Sequence, residues 1–130
     1  MENPRPSIVH VVDDDEAVRD SMRALLESYG IEVYAYASAR EFLVADPAQP
    51  GGCVLVDLHM PGMGGLELLE ALQAQGSRIP VIAITGRSDS MLKERATRAG
   101  AVTLLEKPVS DEALLSTLVL ALTRAKFRAG

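Results

Sequence analysis

Asp13, Asp14 and Asp57 carry the most chemical potential in this sequence, and Thr85 and Lys107 are the residues that could work with them. Clustered carboxylates bind a hard divalent cation through oxygen, and Mg²⁺ accepts one or two of them while keeping several waters. A carboxylate can also act as a nucleophile, as in formation of an aspartyl phosphate. Phosphoryl transfer is then mostly positioning and charge neutralisation on the transferred oxygens, which a metal, a lysine and a hydroxyl donor would supply. Asp57 poses the sharpest question. In "CVLVDLHMPGMGGLELL" it closes a strongly apolar run, and a buried carboxylate is costly without a partner.

Taken singly, the other pieces are bland. An acidic run such as "DDDE" (13–16) often only complements a helix dipole. A threonine ending a strand commonly makes a local turn, and the lysine of a "KP" dipeptide is commonly solvated. His10 lies inside an apolar strand with no second His or Cys at ligand spacing, so it reads as a packed strand residue. His59 follows Asp57 in a loop, where its backbone matters more than its ring. Met60 and Met63 flank Pro61 as apolar loop anchors, and Cys53 is a small core residue. No G-x-x-x-x-G-K cradle supports nucleotide binding.

What joins these residues is their place in the chain. "SIVHVV" (7–12) is expected as a buried strand, followed by a helix with Val18, Met22, Leu25, Leu26 and Tyr29 on one stripe and Gly30 as its stop. "IEVYAY" (31–36) alternates partly, as an edge strand would. Ser38 can cap a short helix carrying Phe42 and Leu43, broken by "DPAQPGG". The Cys53 strand leads into a helix over 66–75 closed by Gly76. "IPVIAIT" (79–85) and "AVTLL" (101–105) are the fourth and fifth strands. Between them, a helix with only Leu92, Ala96 and Ala99 as its apolar stripe should be weakly anchored. The last helix, over 110–126, is apolar nearly all round at "LVLALT".

Five strand–helix units imply an α/β fold with a mostly parallel sheet covered on both faces. Such sheets bind ligands beyond the carboxyl ends of their strands. The first strand is followed by "DDDE", the third ends on Asp57, the fourth on Thr85, and the fifth is followed by Glu106, Lys107 and Pro108. Only the second ends blandly, on Tyr36 and Ala37. The candidate residues therefore converge on one sheet edge.

The bulk numbers bound the rest. A chain of 130 residues suits one domain with a sizeable core. A net charge of −5 without a basic cluster argues against nucleic-acid binding, and a single Cys excludes an internal disulfide. No apolar run reaches about 18 residues, and "MENPRPSIVH" lacks a signal-peptide pattern, so a cytoplasmic domain with no membrane contact is expected.

The segments "VHVVDDDEAVRDSMRALL", "VLVDLHMPGMGGLELL", "VIAITGRSD" and "GAVTLLEKPVSDEALL" resemble the receiver domain of bacterial two-component response regulators, most of all its FixJ-type (FixJ/NarL-like) branch. The resemblance implies a flavodoxin-like (CheY-like), doubly wound parallel sheet of five strands in the order 2-1-3-4-5 with five helices. It implies a regulatory phosphoacceptor domain rather than an enzyme, with Asp57 taking a phosphoryl group from a sensor histidine kinase or a small-molecule donor. Asp14, Asp57 and the backbone carbonyl of His59 would bind Mg²⁺, or Mn²⁺ in its place, with Asp13 acting through water. Lys107 would pair with Asp57, across a Lys107–Pro108 bond that is typically cis in the family, and Thr85 would move to the phosphoryl group. The fourth helix, fifth strand and fifth helix would then rearrange to control an output domain or partner, with a transcriptional output implied.

One departure is Leu104, where the family usually has Tyr or Phe. On domain organisation the expectation is a flexible N-terminus (1–6), a receiver domain (7–125), and a tail or start of a linker (126–130). Leu115, Val119 and Leu122 are expected to contribute to a phosphorylation-favoured homodimer. Three rivals remain. A phosphorylation-independent pseudo-receiver would keep the fold as a protein-binding module. A haloacid-dehalogenase-type phosphatase would need D-x-D at the nucleophile, where His59 takes the second Asp's place. A flavodoxin-like flavin carrier would need a phosphate-cradling loop.

Overall fold

The β-branched runs form five parallel strands, β1 (Ile8–Val12), β2 (Glu32–Tyr36), β3 (Gly52–Asp57), β4 (Val81–Thr85) and β5 (Thr103–Glu106). They pair in the order β2-β1-β3-β4-β5, as expected, in a computed structural model that describes residues 7–45, 52–60, 64–86 and 90–129. Five helices alternate with them: α1 (Glu16–Glu27), α2 (Ala39–Ala45), α3 (Gly65–Ala74), α4 (Ser90–Arg98) and α5 (Asp111–Ala129). The N-terminal segment 1–6, Pro61, Met63, most of the "DPAQPGG" break and Gly130 lie outside the described residues.

β1, β3 and β4 are buried along their whole length, which is why they read as continuous apolar runs. Successive side chains still alternate between faces. Val9, Val11, Cys53, Leu55, Ile82 and Ile84 pack with Leu26 of α1 and with Leu114, Leu118, Ala121 and Leu122 of α5. Val12, Val54, Val56, Val81 and Ala83 pack on the other face with Phe42 of α2, with Leu66, Leu68, Leu69 and Leu72 of α3, and with Ala96 of α4. His10 is indeed a packed strand residue. Its ring lies 5.5–5.8 Å from those of Tyr34, Tyr36 and Phe42, and its Nδ1 is 3.1 Å from the Tyr36 hydroxyl.

The thin stripe of α4 has the expected consequence, because Ala96 is its sole buried residue, against five in α3. The Lys93–Glu106 ion pair, 2.7 Å long, ties α4 to β5. Ser38 caps α2 through the Glu41 N–H.

Several boundaries differ from expectation. Tyr29 is not on the packed stripe of α1. The helix ends at Glu27, Gly30 turns the chain at φ +79°, and Tyr29 is left 63% exposed. β5 begins at Thr103 because the Ala101 N–H still closes α4 onto Ala96. α5 continues to Ala129. Of the three residues expected on a dimer surface, Leu122 is core and Leu115 packs against it, so only Val119 is exposed, beside Leu120.

Candidate functional site

The parallel register brings the four polar strand ends together. β3 and β5 flank β4, with Asp57 opposite Ile84 and Thr85 opposite Glu106. β1 lies on the other side of β3, so the turn after Val12 delivers Asp13 and Asp14 to the same edge.

The acidic run divides its labour. Asp15 is the N-cap of α1, its Oδ1 accepting from the N–H groups of Ala17 and Val18. Asp13 points back to the sheet edge, buried, with Oδ1 accepting from the Asp15 N–H at 2.9 Å, while Arg19 donates to its carbonyl at 2.7 Å. Burial holds the Asp13 carboxyl above the usual carboxylate range. The Asp15 N–H and Lys107 oppose that shift, and the charges of Asp57 and Asp14 reinforce it. One oxygen from each of Asp13, Asp14 and Asp57 lies within 4.8 Å of the others. Three carboxylates so close repel one another, and two of them are buried. Their hard oxygen donors fit a small divalent cation.

Asp57 meets the cost of its burial with two bonds. Its Oδ1 accepts from the His59 N–H at 2.8 Å, and its Oδ2 from Lys107 Nζ at 2.8 Å. The bond to Asp57 also raises the Lys107 ammonium above its ordinary value, against its partial burial. The Lys107 N–H donates to the Thr85 carbonyl at 2.9 Å, and the Lys107–Pro108 bond is cis. The lysine therefore approaches over the end of β4.

Helix α3 starts immediately behind the carboxylate. A Cβ added to Gly65 would stand 2.8 Å from the Asp57 carbonyl oxygen and 3.0 Å from the Leu58 Cα, so only glycine lets the helix start so close. Glu67 secures that start by accepting from the Gly64 N–H at 3.0 Å.

Thr85 is fully buried, and here sequence reasoning missed a partner. The His59 ring does not simply point to solvent: its Nε2 lies 3.1 Å from the Thr85 hydroxyl. Nothing in the spacing of two residues 26 apart signals this contact. The adjacency of β3 and β4 creates it. Leu104, opposite Ala83, is half-buried against the α3–α4 side of the core, as are Leu92 and Ala101.

The family model described as the response regulator receiver domain matches residues 9–119. The chain belongs to that family. This receiver domain is 43% identical over 122 residues to the transcriptional regulatory protein FixJ of Azorhizobium caulinodans, covering 94% of this chain and 58% of that protein. It is 39% identical to nodulation protein W of Bradyrhizobium diazoefficiens, covering 94% and 54%. Among solved structures, full-length FixJ from B. japonicum superposes with a TM-score of 0.85 at 41% identity, over 94% of this chain and 60% of that one. The structure of FixJ-N matches with a TM-score of 0.85 at 38% identity, over 92% and 96%. The receiver domain is thus of the FixJ-like type found in two-component response regulators, a regulatory class. The chain spans little more than half the length of the curated relatives it matches. Among the described residues no helix is long and apolar enough to cross a membrane.

Proposed function

We propose that this receiver domain accepts a phosphoryl group on Asp57 and uses it to switch its surface. A carboxylate oxygen of Asp57 attacks the phosphorus of a phosphohistidine or of a small acyl phosphate. The bond from phosphorus to the donor's nitrogen or oxygen breaks, and its electron pair leaves with the donor. The observation that carries this reading is the pairing at Asp57: a buried carboxylate at the sheet edge, held on one oxygen by Lys107 and on the other by a backbone N–H, beside two more carboxylates.

Asp14, Asp57 and the His59 carbonyl would hold Mg²⁺ or Mn²⁺, with Asp13 acting through water. Bound there, the cation would neutralise charge on the phosphoryl oxygens. Lys107 stays beside the new phosphoryl oxygens, and Thr85 turns its hydroxyl toward them. The negative charge added between these two groups supplies the differential interaction that a two-state switch requires. Helix α4, whose one buried residue is Ala96 and whose ion pair to β5 is partly exposed, is lightly anchored and suited to moving.

The proposed partners are a sensor histidine kinase and an output domain in the same protein, with a transcriptional output supported by the FixJ-type relatives. The proposed division is a receiver over 7–125 with a linker beginning at its C-terminal end, in a cytoplasmic protein. A phosphorylation-favoured homodimer would use Val119 and Leu120 of α5.

Incubation with acetyl phosphate and Mg²⁺, followed by intact mass spectrometry, tests the central claim. One added phosphoryl group is expected, absent in Asp57→Asn and absent when the cation is chelated. An unmodified mass in the native sequence identifies a pseudo-receiver instead.

A further inference from the structure

The Thr85 hydroxyl has one proton to give, and it donates to the Gly86 carbonyl at 3.1 Å. The His59 Nε2 lies 3.1 Å from the Thr85 hydroxyl oxygen. With that proton on the Gly86 carbonyl, the Nε2–H tautomer of His59 donates to the hydroxyl oxygen. Both sides of the hydroxyl are thus engaged away from Asp57. The ring is also seated. It lies against Gly86: a Cβ there would be in ordinary contact with the ring, 3.4 Å from Nε2 and 3.8 Å from Cδ2 of His59. The base of the same residue is fixed by its N–H on Asp57 Oδ1, and the preceding Leu58 N–H is bound to the Ile84 carbonyl at 2.8 Å. One residue therefore links the proposed phosphoacceptor, through its backbone N–H, to the hydroxyl that must turn toward it, through its ring.

We propose that His59 is a positioning residue, a latch whose ring holds Thr85 in its resting orientation and so opposes the switch. This rests on the function proposed above. To reach a phosphoryl group on Asp57, the Thr85 hydroxyl must give up both present bonds. The His59 ring is exposed and can return to water, so releasing it leaves no buried group unpaired. The latch then sets how readily phosphorylation is converted into a change of shape, independently of the carboxylate chemistry.

Beryllium fluoride with Mg²⁺, a stable phosphoryl mimic, provides the test on the full chain. Removing one hydrogen bond specific to the resting state should tighten mimic binding in His59→Ala by about two- to tenfold. His59→Gln, which keeps an N–H donor of similar reach, should restore most of the native affinity. In a double-mutant cycle the effect of His59→Ala should vanish in the Thr85→Val background, which no longer carries the hydroxyl. In the mimic-free protein, scalar couplings should show Thr85 χ1 averaging between rotamers in His59→Ala and a single rotamer in the native sequence. This last measurement decides the matter alone if Thr85→Val does not fold. Unchanged affinity in His59→Ala, an equal change in both backgrounds, or an unaltered Thr85 rotamer overturns the latch while leaving the phosphoacceptor role intact. Failure of the native protein to bind the mimic overturns both.

Discussion

Lys107 Nζ donates to Asp57 Oδ2 at 2.8 Å across the end of β4, joining residues 50 positions apart. The carboxylate is buried and the lysine half exposed, so water already screens part of the attraction. Lys107→Ala is therefore expected to change the melting temperature by only about 2–5 °C. Its effect on chemistry should be larger, because a fixed cation is lost where charge accumulates. Phosphorylation by acetyl phosphate should slow by about 10²-fold, read as the rate of mass gain.

Asp13 is buried, and that burial opposes its ionised form. Its folded value is raised, chiefly by burial, so its contribution favours the fold at acid pH and is lost as pH rises through that value. At neutral pH the ionised group is a net penalty. Asp13→Asn keeps an acceptor for the Asp15 N–H and removes the charge. It should raise the melting temperature at pH 7 without added cation by about 2–5 °C, and shrink the further rise on adding Mg²⁺. Thermal scans with and without Mg²⁺ measure both.

His10 works in the opposite sense. Burial lowers its value from 6.5 to about 4, so the folded state refuses a proton that the unfolded chain accepts. Its contribution is complete above 6.5 and is lost as pH falls toward 4. Urea unfolding should show a loss of about 2 kcal/mol between roughly pH 7.5 and pH 5 from this group. His10→Asn, which does not titrate and can still meet the Tyr36 hydroxyl, should be less stable at neutral pH but show a flatter profile over the same interval.

Helix α4 should open locally before its neighbours. α3 buries Gly65, Leu66, Leu68, Leu69 and Leu72, and α4 buries Ala96 alone. Native-state hydrogen exchange should therefore find the α4 amides the less protected by at least about tenfold. Lys93→Ala, which cuts the tie to Glu106, should lower α4 protection further while leaving α3 unchanged.

Much of this is legible in the sequence, because each signal is local. A charge closing an apolar strand marked Asp57, and the strand–helix alternation placed Thr85 and Lys107 at the same edge. The strand order came from family resemblance; no local pattern specifies which strand lies beside which. The His59–Thr85 contact depends wholly on that order and so escaped notice. Tyr29 misled for a simpler reason. It continues the spacing of Met22 and Leu26, but the chain has already left the helix before reaching it. Leu122 reads as part of a dimer surface because α5 is apolar nearly all round, and periodicity does not say which side of such a helix faces the sheet.

Gly65→Ala should be the most disruptive conservative change near the site. The added methyl meets backbone at 2.8 Å and 3.0 Å, which cannot yield as a flexible side chain could. A loss of about 1–3 kcal/mol is expected in urea unfolding, together with weakened mimic binding as Asp57 is displaced.

That tight seat has a mechanical meaning as well. With α3 resting directly on the Asp57 backbone, strand end and helix start form one stiff block, and little slack exists for motion outward on that side. Under the proposed function, a disturbance arising at the carboxylate would run sideways along the sheet edge, through β4 and β5 to the lightly held α4. The missing methyl of a single glycine would thereby give the proposed switch its direction of travel.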